Sequence, residues 1–449
     1  MRGSSQNRAG VCQFFQRSNP LKAPNRCRLE SSTLKRKANK AEGLRLNFGG
    51  PRLGRSRFTH PDDPHPTMKF TFILPALLWL GVASCFAQSG AAKLSEVSKL
   101  DPAMAASKAT SESVQWHDVT KWGVEGREWT ERERLRYFDR LPAEAEKTVT
   151  SSVWKLSRDS AGMMVRFKTD ATSLHVHYKL SKELLAMPHM PATGVSGVDI
   201  YARDDSGKWR WVMVTKPAAQ EVQVEVIKGL APVSREYAAY LPLYNGVELL
   251  EIGVPKGSQF EGLPPRTKPV VFYGTSITHG ACASRPGMVH TAILGRRLDM
   301  PVVNLGFSGN GRMDAAVGDF LGRIDASAFV IDCLPNMGPV DVTAKCVPLI
   351  HQLRTAKPST PIILVEDRRF TNDWITPAKA KFHDDNHAAL KEAWETLRKE
   401  GVPNLYYISG DALYGTDSEG STDASHANDL GFMRQADVFE PVLRRAIGK

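Results

Sequence analysis

Cysteine is scarce and poorly placed for cross-linking: of six in 449 residues, Cys12, Cys27 and Cys85 precede residue 91. If a leader is removed, only Cys282, Cys333 and Cys346 remain, so at most one disulfide can form and packing must hold the fold. None of the three sits in a motif that activates a thiol, and they read as structural thiols. A bilayer-spanning run is missing too: the apolar stretch Phe70 to Val82 has thirteen residues where about twenty are needed. Most of the chain also lacks charge of one sign. Residues 1 to 67 carry 14 Lys/Arg against 4 Asp/Glu, so of the formal +11 only +1 is left for residues 68 to 449. The basic balance is therefore no argument for a nucleic-acid partner, and none is expected.

Residues 1–67 are rich in Arg, Ser, Pro and Asn without apolar periodicity, the composition of a disordered extension. Met68-Lys69, the apolar run and the small residues around Ala83-Ser84 and Ala87 have the layout of a secretory signal peptide over 68–90. The segment before it is either a true extension or the product of a start codon assigned too early, the second being favoured. The protein is expected to be exported, to the periplasm or outside the cell. Val82-Ala83-Ser84-Cys85 also suits a lipoprotein signal, which makes anchoring through Cys85 the alternative to cleavage after Ala87. Residues 91–113 read as a linker.

From residue 114 to 264 short alternating segments recur: Ser152 to Leu156, Met163 to Lys168, Leu174 to Leu180, Val198 to Ala202, Lys208 to Val214, Val222 to Ile227 and Val247 to Ile252. Turn signals such as Asp204-Asp205-Ser206-Gly207 separate them, which predicts an all-β sandwich or jelly roll. After Pro264-Pro265 the pattern changes. Unbroken apolar runs (Val270 to Tyr273, Val302 to Leu305, Phe329 to Ile331, Ile362 to Val365, Leu405 to Ile408) alternate with helical stretches at Met288 to Leu298, Met313 to Ile324, Val342 to Ala356 and Ala388 to Glu400. That rhythm predicts a three-layer, doubly wound α/β domain over 265–449.

In such a domain function gathers at the carboxyl ends of the strands. With a flavodoxin-like strand order, 2-1-3-4-5, the loops after the first three strands meet at one place. The first loop is Gly274-Thr275-Ser276-Ile277-Thr278-His279-Gly280, a tight turn that lifts a serine hydroxyl above the sheet edge. The second, Asn304 to Gly311, has glycines that let backbone N–H groups approach a bound oxygen, and the third offers the Asn336 amide. The loop after the fifth strand contains Asp423-Ala424-Ser425-His426. A serine hydroxyl is a weak nucleophile near neutrality and needs a base, for which the His426 imidazole is suited. Asp423, three residues earlier, can fix the imidazole's tautomer. The N–H groups of Ser276 and Gly309 and the Asn336 amide can form an oxyanion hole, each donor typically contributing about 3 kcal/mol.

This set resembles the SGNH (GDSL-like) hydrolases, whose Ser, Gly, Asn and His come from four separated blocks, the last reading D-x-x-H. The resemblance implies catalytic roles for Ser276, Asp423 and His426 and oxyanion roles for Ser276, Gly309 and Asn336. More narrowly, the chain is similar to the subfamily with an N-terminal β-sandwich bearing a GxDLY motif, present as Gly197-Val198-Asp199-Ile200-Tyr201. Gly-Thr-Ser replaces the usual GDS, and Leu-Pro-Asn-Met replaces G-x-N-D.

His383-Asp384-Asp385-Asn386-His387 places two histidines at helical spacing, but with no glutamate base and no third ligand it reads as a solvated helix start. No metal and no cofactor is expected. His279 has no carboxylate in its motif and is expected to face substrate or solvent. Arg285, Arg312, Asp367, Arg368, Arg369, Asn372 and Asp373 make the rim polar, with Arg285, Asp367, Arg368 and His279 as candidate substrate contacts. Trp209 and Trp211 share a strand face and form either a sugar platform or core, and Arg140 is expected near the site's mouth. The sequence thus points to a serine esterase acting on a small ester or acylated glycan, most simply an acetylated sugar. An acyltransferase on the same fold and a non-catalytic glycan-binding protein are the alternatives.

Overall fold

A computed structural model describes residues 97–106 and 113–449. The segments expected to be a basic extension and a signal peptide, Cys85 included, and about half of the expected linker lie outside the described residues. Among the described residues no helix is long and apolar enough to cross a membrane.

Nine strands pair into two antiparallel sheets. β1 (Val114–Asp118), β3 (Ser173–Leu180), β6 (Glu221–Lys228) and β8 (Val247–Pro255) form one, in the order β1-β8-β3-β6. β2 (Met164–Thr169), β4 (Asp199–Arg203), β5 (Trp209–Val214), β7 (Arg235–Tyr240) and β9 (Phe260–Leu263) form the other, in the order β5-β4-β7-β2-β9. Alternation drives the packing: Val222, Val224 and Val226 of β6 point inward and meet Phe167, Ile200, Ala239 and Ile252 in one core. The expected strand at Ser152 to Leu156 is instead a helix, α1 (Ser151–Ser157), because Thr150 caps it and Val153, Trp154 and Ser157 bury at helical spacing. β7 and β9 carry too little alternation to be read from sequence, and β1 is only five residues long.

The second half is a five-stranded parallel sheet: β10 (Val270–Gly274), β11 (Val302–Gly306), β12 (Ala328–Asp332), β13 (Ile362–Val365) and β14 (Leu405–Ile408). Its order is β11-β10-β12-β13-β14, the expected 2-1-3-4-5. Successive strand residues face opposite layers. Val271, Tyr273, Ile331 and Leu364 pack under α4 (Ala315–Leu321), α5 (Pro339–Ala356) and α6 (Pro377–Lys399). Phe272, Val330, Ile363 and Ile408 pack under α3 (His290–Leu298) and α7 (Asp429–Ile447). A one-turn helix, α2 (Ser276–His279), follows β10.

The two halves share core. Leu141, Val153 and Trp154 join one α/β layer, while Met190, Val195 and Leu243 join the other. The GxDLY segment is a joint: the buried Asp199 carboxylate accepts from Arg285 (3.0 Å), from the Gly287 amide (2.8 Å) and from Trp211 Nε1 (2.8 Å). Removing it leaves the partly buried Arg285 without its carboxylate partner. Asp199→Ala should lower the unfolding free energy by about 3 kcal/mol or more, measured by urea denaturation; a loss under about 1 kcal/mol would contradict this account of the joint.

Candidate active site

β10 ends at Gly274, whose Cβ, if it had one, would lie 2.0 Å from Thr278 Oγ1. The absent side chain lets the chain turn at once into α2, where the Thr275 hydroxyl accepts from the Ile277 amide (3.3 Å) and Gly280 closes the turn at φ 113. Ser276 sits at the first helical position, where a backbone N–H has no partner within the helix. Its hydroxyl is 2.8 Å from His426 Nε2. On the far side of the ring, His426 Nδ1 is 2.7 Å from Asp423 Oδ2, so the carboxylate holds the hydrogen on Nδ1 and leaves Nε2 to accept from Ser276.

Asp423 is oriented by its own loop: Oδ1 accepts from the amides of Ser425 (3.0 Å) and His426 (2.7 Å). Partial burial works against its charge, but these amides and the imidazole outweigh it and hold the carboxyl below its ordinary range. Ala424, between the partners, adopts φ 70, a left-handed conformation unfavourable for a residue with a Cβ. The loop is kept there from outside. Thr371 N–H donates to Ala424 O (3.0 Å), and Ser425 O accepts from Arg368 Nε (2.9 Å) and the Tyr414 hydroxyl (3.1 Å).

The loop after β11 crosses beside β10 so closely that a Cβ on Gly311 would lie 2.0 Å from Gly274 O. Gly311 N–H donates to Asn336 Oδ1 (3.2 Å), which leaves the NH2 group of that amide as a free donor. Gly309 (φ 69), Asn336, Ser276, His426, Ser425 and Arg368 border one open cavity of about 470 Å³. Such a set can generate an alkoxide-like nucleophile, shuttle its proton and stabilise an oxyanion.

Other candidates lie elsewhere. Arg285 is in the joint with Asp199 and Tyr201, away from the cavity. His279 is fully buried and not exposed: burial, then the Arg140 and Lys182 charges, lower its pKa well below normal, and its neutral ring contacts Leu243 O (2.8 Å) and stacks on Tyr244. Asp367 is buried, paired with Arg368 and 3.1 Å from His383 Nδ1. His383 and His387 lie mid-way along α6, not at a solvated start, because Pro377 begins the helix earlier; Phe370 N–H donates to His383, and His387 contacts Asp367 O (2.7 Å). Trp211 is engaged by Asp199, and Trp209 lies beneath Arg203. The three described cysteines are free and buried; burial raises Cys282 to about 11 and Cys346 to about 12.

Two contributors had no signal of this role in the sequence. The Tyr244 hydroxyl donates to Ser276 O (3.3 Å) and lies 3.2 Å from Ser308 Oγ, so one side chain spans the Ser276 turn and the loop of Gly309. Asp332, at the end of β12, accepts from Thr278 Oγ1 (3.1 Å) beneath α2.

Residues 267–444 match the model of the GDSL-like lipase/acylhydrolase family, and residues 114–260 match that of the GxDLY N-terminus of SGNH-hydrolase-type esterases. A protein from Bacteroides ovatus described as a GDSL-like lipase superposes with TM-score 0.71 at 33% identity, covering 75% of this chain and 98% of that one. The chain belongs to the GDSL-like lipase/acylhydrolase family. Membership makes it an ester hydrolase of the SGNH type. The salicylyl-acyltransferase SsfX3 from a tetracycline biosynthetic pathway shares the fold (TM-score 0.59, 20% identity, 75% of this chain and 97% of that one). A family two carbohydrate esterase from Cellvibrio japonicus matches at TM-score 0.45 and 15% identity, over 64% of this chain and 90% of that one. No curated protein sequence matches the chain.

For this SGNH-type chain, Tyr244→Phe should reduce kcat on a small ester about fivefold with little change in KM, since one bridging hydrogen bond is worth about 1 kcal/mol. An unchanged kcat would remove Tyr244 from the site's support. Burial raises Asp332 from 3.8 to about 7, so the folded state keeps a proton that the unfolded chain loses. This carboxyl therefore favours folding most in acid, and its contribution declines as pH rises from about 4 to 7. Asp332→Asn should flatten the stability profile across that window, as read from urea midpoints, and an identical profile would refute the shift.

Proposed function

We propose that this chain is an exported serine esterase that removes short acyl groups, acetyl foremost, from a polar alcohol such as a carbohydrate. The observation that carries the reading is the continuous relay from Ser276 Oγ to His426 Nε2 (2.8 Å) and from His426 Nδ1 to Asp423 Oδ2 (2.7 Å). In this reading Ser276 Oγ attacks the ester carbonyl as His426 takes its proton. The tetrahedral oxyanion is met by the N–H groups of Ser276 and Gly309 and by the Asn336 amide. His426 returns the proton to the departing alcohol, and the acyl group stays on Ser276. Water, deprotonated by the same imidazole, then releases the acid and restores the serine.

Preference for a small acyl group and a polar alcohol is supported by the cavity's border of Ser308, Asn336, Arg368 and Ser425, which offers no extended apolar wall for a long chain. Arg368, tied to Asp367 and Ser425, shapes that border and orders the His426 loop. Export rests on the signal-peptide layout of 68–90 and is part of the proposal.

The test follows acetate release from acetylated oligosaccharides alongside a p-nitrophenyl ester series, with a serine-directed phosphonate and mass spectrometry. Ser276→Ala should lose about five orders of magnitude in kcat and all phosphonate labelling, and Asp423→Asn about four. Faster turnover of long acyl chains would overturn the substrate class. Labelling at another residue would overturn the nucleophile, and transfer to an added alcohol in preference to water would make the enzyme an acyltransferase.

A further inference from the structure

Three donors from separate segments converge at the His426 loop: the ligand atoms of His189, Cys282 and Asp423 all lie within 4.8 Å of one another. His189 sits in a tight sandwich turn closed by paired backbone bonds between Met187 and Met190 (2.9 and 3.0 Å). Both methionines pack against the α/β core, so the imidazole is held over the catalytic half, its ring centre 6.1 Å from that of His426. Cys282 follows α2 with φ 71 and carries a free thiol. It is buried while His189 and Asp423 are exposed, which leaves the cluster open on one side.

The esterase reading uses neither His189 nor Cys282. Thiolate, imidazole and carboxylate together are the donor set of zinc-class ions, whereas magnesium and calcium select oxygen. A tetrahedral zinc with bonds of about 2.0–2.3 Å spaces its donors about 3.4–3.7 Å apart. The cluster must therefore contract by about 1 Å, which rotation of one exposed imidazole can supply.

We propose that His189, Cys282 and Asp423 form an inhibitory site for a zinc-class divalent ion. On binding, the Cys282 thiol gives its proton to solvent and its sulfur bonds the ion. The His189 imidazole and an Asp423 oxygen complete three positions, and water takes the fourth. The Asp423 carboxylate then serves the ion, and His426 loses the partner that orients its ring. The inhibition rests on the triad reading above; the binding does not.

Cadmium titrated into the full-length protein reports on binding through the thiolate-to-metal ultraviolet band, and zinc is titrated against hydrolysis of a small acetyl ester. One cadmium equivalent should raise the band. Cys282→Ala should abolish it, with Cys282→Ser as the volume-conserving second variant, and His189→Ala should weaken binding by more than about tenfold. All three variants should keep metal-free esterase activity and lose sensitivity to zinc, while magnesium has no effect on wild type. No band, a band that survives Cys282→Ala, equal zinc inhibition of wild type and His189→Ala, or inhibition by magnesium would each overturn the site. If wild type hydrolyses no ester but shows a Cys282-dependent band, the metal site stands and the esterase reading falls.

Discussion

At the carboxyl end of β10 the turn 274–280 and the segment 306–311 approach so closely that only glycine fits at three positions. A Cβ on Gly274 would meet Thr278 Oγ1 at 2.0 Å, one on Gly306 the His279 amide nitrogen at 2.1 Å, and one on Gly311 the Gly274 carbonyl at 2.0 Å. Because β10 lies between β11 and β12, this contact brings the serine turn, the Gly309 loop and the Asn336 amide onto one sheet edge. The His426 loop, arriving from beyond β14, completes the group. A larger residue at any of the three glycines would force these neighbours to shift.

Such close backbone packing leaves carbonyls that need partners, and Arg140 supplies them. Its guanidinium is fully buried and donates to Asn304 O (3.0 Å), Gly306 O (2.8 Å), Asp159 O (2.9 Å) and Leu156 O (2.7 Å). Burial lowers its pKa only to about 10, so it remains charged at neutrality. A buried cation is costly in isolation, and here the strand end of β11, the last turn of α1 and the residues just after it satisfy it together. The bed of the site is thus made by residues from both halves of the chain.

What the sequence made legible follows from distance along the chain. Asp423 and His426 are three residues apart, and Ser276 lies in a glycine-bounded turn, so local pattern and strand order suffice to bring them together. The places of Arg285 and His279 are not legible because their partners, Asp199 and Leu243, come from the other half, and no local signal marks a long-range salt bridge or a buried imidazole. Tyr244 was invisible for the same reason. Ser152 to Leu156 has an apolar composition that suits a strand or a helix equally, and only the Thr150 cap and the helical burial of Val153 and Trp154 decide it. The sequence puts His383 and His387 at a helix start because the true start at Pro377 lies in a polar stretch without apolar rhythm.

The participation of Leu141, Val153, Trp154, Met190 and Leu243 in the two α/β layers bears on how this architecture can be reshuffled. Pro264-Pro265 has the look of a seam between two cassettes, yet the hydrophobic interior runs straight across it. A fragment starting after the prolines would present raw apolar faces to water and lack the arginine beneath its reactive edge. Gene fusion or truncation must therefore respect the pair as one piece.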